Sequence, residues 1–232
     1  LENGPFNNQI GPGNQGVGNL ICGNSTVGID MLNTGTGNSI QGNYIGITPT
    51  NIAAGNTKGI RITSSSDDVL VGGDNPNGIG TFNVISNNVE EGVLVEASTN
   101  INIQGNYIGT NVTANGPASN DVGIRITSAS NGTNIGLASS PNKSNTISCN
   151  TQAGIILENS SNTNIQMNNI GTDFPGIGAL NIQDVGIIVL SAANSVSIGG
   201  DYSTSANLIA GNVAAGIVLN DVSGVNIRGN SI

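Results

Sequence analysis

Histidine is absent from all 232 residues, so a Ser-His-Asp or Cys-His arrangement and any imidazole-held metal are excluded. Tryptophan is absent too, and only three Tyr and three Phe are present, which leaves little material for stacking sugar rings. Charged residues make up 8% of the chain, against roughly a quarter of an ordinary globular domain. The surface must therefore be built from Asn, Ser, Thr and Gly. With five Lys plus Arg and a net charge of −9, no basic stripe can neutralise phosphates, and nucleic acid is not an expected partner. No apolar run approaches the roughly 20 residues of a membrane-spanning helix, so no membrane insertion is expected. Two cysteines cannot make a structural zinc site, and no metal site is expected. A single calcium held by loop carbonyls and one Asp stays open as the only cofactor.

What is abundant is glycine, 35 residues, and it falls with a period. A Gly followed by an apolar-x-apolar run occurs at Gly28, Gly59, Gly92, Gly123, Gly154, Gly186 and Gly216, at spacings of 30 to 33 residues. A second marker, Asn followed two residues later by Ile, falls at Asn19, Asn43, Asn83, Asn106, Asn145, Asn168, Asn207 and Asn230. Its spacings alternate between 23 or 24 and 39 or 40 residues, so the true repeat is a pair of units of about 62. Each unit carries one variable insertion whose position switches from unit to unit, the pattern of a solenoid.

Aligning the Gly-led segments puts Ile29, Ile60, Val93, Ile124, Ile155, Ile187 and Ile217 in one column. Two residues on, Met31, Ile62, Val95, Ile126, Leu157, Val189 and Leu219 form another. The residues between are mixed in character, which is the period of two of a strand with one buried face. Helix is a poor alternative, because an interior Gly costs about 1 kcal/mol and no helical stripe offsets it. Strands repeating in register imply that each copy lies on the last and buries its apolar side chains only by stacking. The Asn column has a mechanism as well. Asn tolerates the left-handed backbone of a turn, and its amide can bond the same amide one turn away, at about 4.8 Å. These Asn residues are read as a structural ladder. The same spacing puts Cys22 and Cys149 about 19 Å apart along the stack, too far for a disulfide.

The segment Ile-Gln-Gly-Asn-Tyr-Ile-Gly, at Ile40 to Gly46 and again at Ile103 to Gly109, resembles the repeats of right-handed parallel β-helix proteins of the pectin-lyase-like superfamily. The resemblance implies three short strands per turn and a right-handed coil over about Gln9 to Ile232. The expected fold is all-β, a single-stranded right-handed parallel β-helix of seven to eight turns of about 31 residues, forming one domain over residues 1–232. No capping element is recognisable at either end, so a fragment of a longer chain or an uncapped assembly unit is expected. The resemblance and the Asn/Thr/Ser/Gly-rich composition also imply an extracellular or cell-surface protein.

Superfamily members that act on polysaccharides gather acidic groups and a basic partner on an outward strand face. The outward positions of the Gly-led strands here hold Asp30, Arg61, Glu96, Arg125 and Glu158, and Arg61, Glu96, Arg125 and Glu158 are the catalytic candidates. The alternation of sign from turn to turn fits a charge-compensated ladder better. Asp67 with Asp68 and Glu90 with Glu91 read as solvated loop charges, and Tyr44 and Tyr107 as residues covering the wall. Toward the C-terminus the outward column turns aliphatic at Ile156, Ile188 and Val218, with Leu190 beside it. These four are expected to form an interface with another copy of the chain or a flanking part of the same protein. The expected function is a non-enzymatic stalk, adhesin body or building block of a surface assembly. The alternative is a polysaccharide-binding or polysaccharide-degrading module. Ice binding is a third reading, weakened because Glu96 and Glu158 interrupt the Thr63 and Thr127 array.

Overall fold

The computed structural model describes residues 6–12, 18–74, 80–201 and 203–232. The chain is an all-β parallel solenoid, with three sheets running along its length. The Gly-led segments form the long-strand sheet, whose seven parallel strands run from Val27–Leu32 to Ala215–Leu219. The register pairs Ile29 with Ile60, Ile60 with Val93, Val93 with Ile124, and onward through Ile155 and Ile187 to Ile217. The column expected from the sequence is thus one continuous pile.

The second sheet holds eight strands, from Gln9–Ile10 to Asn226–Arg228, and the third seven, from Leu20–Ile21 to Leu208–Ile209. Each strand of these two sheets is two or three residues long, and its Ile or Val faces inward except Ile227 of the last second-sheet strand, which is exposed. Ile103, Ile135 and Ile165 of the second sheet and Ile108, Ile147 and Ile170 of the third join the long-strand columns in one core. Strands this short are marginal alone, so each turn is held by its neighbours. Tight corners need left-handed backbone. Gly109 ends one third-sheet strand at φ 84°, and a Cβ there would lie 2.3 Å from both the Ser148 carbonyl and Asn150 Oδ1.

The expected Asn ladder is continuous. Each side-chain amide donates from Nδ2 to the next Oδ1, from Asn19 through Asn43, Asn83, Asn106, Asn145, Asn168 and Asn207 to Asn230, at 2.9 to 3.1 Å. A second amide ladder that the sequence reading missed guards the corner before the long strands. It runs Asn24, Asn56, Asn88, Asn120, Asn150, Gln183, Asn212 at 2.8 to 3.2 Å. Its members stand three or four residues before the leading Gly, alternately, and one is Gln, so no fixed-spacing search finds it.

The switching insertions fall on two corners. Three follow the third sheet and are closed by antiparallel bridges Ile47 to Ala53, Thr110 to Pro117 and Thr172 to Ala179. They stack on one another two turns apart. Val112 N donates to Asn51 Oδ1 at 2.9 Å, and Phe174 N to the Ala114 carbonyl at 2.9 Å. Under them lies a small second core of Ile47, Phe82, Val84, Tyr107, Ala114 and Ala118. Tyr107 sits between Phe82 and Phe174, with ring centroids 4.8 and 5.6 Å away. That packing leaves Tyr107 only 2% exposed, and burial raises its phenol pKa. Tyr44, half-buried beside it, is raised for the same reason. Both cysteines are free thiols, Cys149 fully buried. No helix among the described residues is long and apolar enough to cross a membrane.

Candidate functional site

The outward face of the long-strand sheet divides in two. Its N-terminal part carries ions, and its C-terminal part is aliphatic. On the ionic part Arg61 Nε donates to Asp30 Oδ1 at 2.9 Å and Nη2 to Oδ2 at 2.5 Å, one turn apart. The hydrogen bonds to Asp30 raise the guanidinium pKa against a smaller opposing effect of burial. This is the compensated pair that the alternation of sign suggested.

Glu96 departs from that expectation. Among the described residues it holds no ion pair. The acid at the centre of the network is Glu91, at the opposite end of the same strand, whose side chain is 12% exposed. It accepts from Lys58 Nζ at 2.6 Å and from Arg125 Nε at 3.1 Å, while Lys58 also reaches Glu90. Glu91 is therefore a strand residue held in a network and not a solvated loop charge, while Glu90, in the bend before the strand, stays exposed and meets Lys58 from there. Long cationic side chains lie along the sheet and reach acids at the strand's start as readily as acids directly opposite. Burial works against the Lys58 ammonium, but its bonds to Glu90 and Glu91 outweigh burial and raise its pKa. Arg125 has a second, longer contact to Glu158 at 3.9 Å. Of the four catalytic candidates, then, Arg125 and Glu158 meet, Arg61 is bound to Asp30, and Glu96 acts on Arg61 only through its charge, without an ion pair among the described residues. Asp67 is a loop clamp, whose Oδ1 accepts from Thr99 N and Oγ1 one turn on.

On the aliphatic part, Ile156 is 3% exposed and clusters with Val122 and Ala153, with Ile188 and Leu190 packed against them. Val218, one turn on in register with Ile188, is half-buried. The stripe foreseen as an interface thus packs partly on itself, leaving Ile188, Leu190 and Val218 at the surface.

A second polar region is the outward face of the second sheet. Asn102, Asn134 and Asn164 are in register there, and two charge pairs flank them, Lys143 Nζ to Asp74 at 2.8 Å and Arg228 Nη1 to Asp201 at 3.0 Å. Nothing gathers three acidic or thiol side chains into a cation site among the described residues. The third-sheet loops are likewise self-contained, because Asp173 Oδ1 is occupied by the backbone N–H groups of Ile177 and Gly178.

No family model matches the chain, no curated protein matches it, and no solved structure matches it.

Proposed function

We propose that this chain is a non-enzymatic structural and adhesive segment of an extracellular surface assembly, of the pectin-lyase-like β-helix kind. In this reading it serves as a stalk, adhesin body or building block that meets copies of itself or flanking parts of the same protein. One observation carries it: the cations of the long-strand face are all engaged by carboxylates. Lys58, Arg61 and Arg125 hold Glu90, Glu91, Asp30 and Glu158. A base or sugar-acid ligand has to be available to substrate, and a compensated network of this sort serves register instead. The half-buried aliphatics Ile188, Leu190 and Val218 beside buried Ile156 supply the face for the neighbouring copy or segment.

The polysaccharide-degrading reading draws on Arg125, a cation shared between Glu91 and Glu158. Incubation with a panel of acidic polysaccharides, following reducing ends and unsaturated products, separates the two. No product is expected; release that disappears in Arg125→Ala would replace the structural reading. For the assembly face, sedimentation of wild type and Ile188→Lys is the test, with association expected only in the wild type.

A further inference from the structure

We infer that the outward face of the second sheet, near Ser197, is a binding site for a neutral oligosaccharide. The inference rests on the adhesive half of the reading above and gives it a ligand class. A row of amides climbs this face: Asn134 Nδ2 donates to Asn102 Oδ1 at 3.1 Å, and Asn164 Nδ2 to Asn134 Oδ1 at 3.0 Å. The next position in register is Ser197, and the one after it Asn226. The serine is too short to donate an amide across the gap. Asn164 Oδ1 is left as an acceptor that no described residue fills, and the Asn226 amide stands free in the same sense. Where the ladder breaks there is a cleft of about 230 Å³, bounded by Asn164, Gln166, Ser197, Asp201, Asn226 and Arg228.

The cleft's walls are fixed by the repeat. Gln166 Nε2 donates to the Gly199 carbonyl one turn on at 3.1 Å, as Gln41 does to Gly72 at 2.9 Å. Gly200 closes on Ser205, whose Cβ would lie 2.7 Å from any Cβ added at that glycine. Two turns beyond Gln166, the position that carries Gln41, Gln104 and Gln166 becomes Arg228, which pairs with Asp201 across the opening. The register column reads Gln9, Ser39, Leu70, Asn102, Asn134, Asn164, Ser197 and Asn226, so the bonded amide row is three rungs long and ends against the cleft at Ser197.

The chemistry of the lining selects the ligand. Amides, a hydroxyl and a guanidinium–carboxylate pair set donors beside acceptors, the match for vicinal hydroxyls. Arg228 and Asp201 cancel in charge, and the chain carries −9, which disfavours an anionic sugar. The volume suits a single sugar ring, drug-sized ligands taking about 300–1,000 Å³. A peptide added as a strand needs an open sheet edge, whereas the cleft lies on the outward sheet face over Ser197, whose strand is paired on both sides. The amide row continues to Asn134 and Asn102 at about 4.8 Å per turn, so a saccharide chain lying along the axis meets further partners beyond the first ring.

Titration calorimetry of the 232-residue chain with cellohexaose, xylohexaose, mannohexaose and maltohexaose tests this, with hexagalacturonate as the anionic arm. Saturable binding of at least one neutral hexasaccharide is expected. Ser197→Asn, which extends the amide ladder into the cleft, and Arg228→Ala, at an exposed site that folding does not need, should each weaken it by about tenfold or more, roughly 1.4 kcal/mol. Lys143→Ala, at the other charge pair, should leave it unchanged. Absence of binding to every neutral probe, tighter binding of hexagalacturonate, or binding indifferent to Arg228→Ala each overturns the site. None of these outcomes touches the product-release test of the structural reading.

Discussion

Two sets of ladders run along the same stack, one inside the corners and one on the outer faces, and they differ in what they cost to break. Asn106 lies in the inner seam. It is fully buried, its Oδ1 accepts from Asn83 N and Nδ2, and its Nδ2 reaches Asn145 Oδ1 and the Val71 carbonyl. Arg61, on the outer face, makes two charge-assisted bonds to Asp30 but is one-third exposed. The outer bonds are no longer than the inner ones, yet water can replace them. The inner ones have no substitute, so an amide inside is worth more than an ion pair outside.

The contrast breaks most visibly at Asn106→Ala, which orphans several buried polar groups at once. A loss of about 3–5 kcal/mol is expected, read as a fall in the urea midpoint. Adjacent residues sharpen it. Ile124→Ala should cost about 2–5 kcal/mol by opening the core, whereas Arg125→Ala, pointing the other way on the same strand, should cost about 1 kcal/mol.

A third test uses the interior thiol. Burial pushes Cys149 up to about 11 from an ordinary value of 9.0. Its protonated form is favoured in the folded state, so its contribution is whole below pH 9 and is lost as pH rises through 11. The unfolding free energy of wild type from urea titration should therefore drop more between pH 8 and 10 than that of Cys149→Ala, by about 1 kcal/mol. The smallest effect is Arg61→Ala, about 0.5 kcal/mol, shrinking in 1 M salt as the screening length contracts to about 3 Å.

Legibility followed the same divide. The Gly-led columns and the Asn-x-Ile ladder were readable because a buried strand face demands period two and an amide seam demands one residue type per turn. The second seam escaped because its distance to the leading Gly changes and Gln183 replaces Asn on one rung. Glu91 escaped because Lys58 and Arg125 are flexible, and sequence spacing does not say which acid such side chains will reach. The break at Ser197 shows in the sequence only once the short second-sheet strands are in register.

By itself the sequence determined that the chain stacks turn on turn, where its interior columns lie, and that one amide seam runs the full length. Stacking is a repeated local requirement, and repetition is visible in one dimension. Only the tertiary structure decided that Phe82, Tyr107 and Phe174 meet in a second core beneath the loops, that Glu91 is shared by two cations, and that Asn164, Asp201 and Arg228 border one cleft. Those contacts join residues from different columns and different turns, and their closeness depends on how far each loop and side chain reaches.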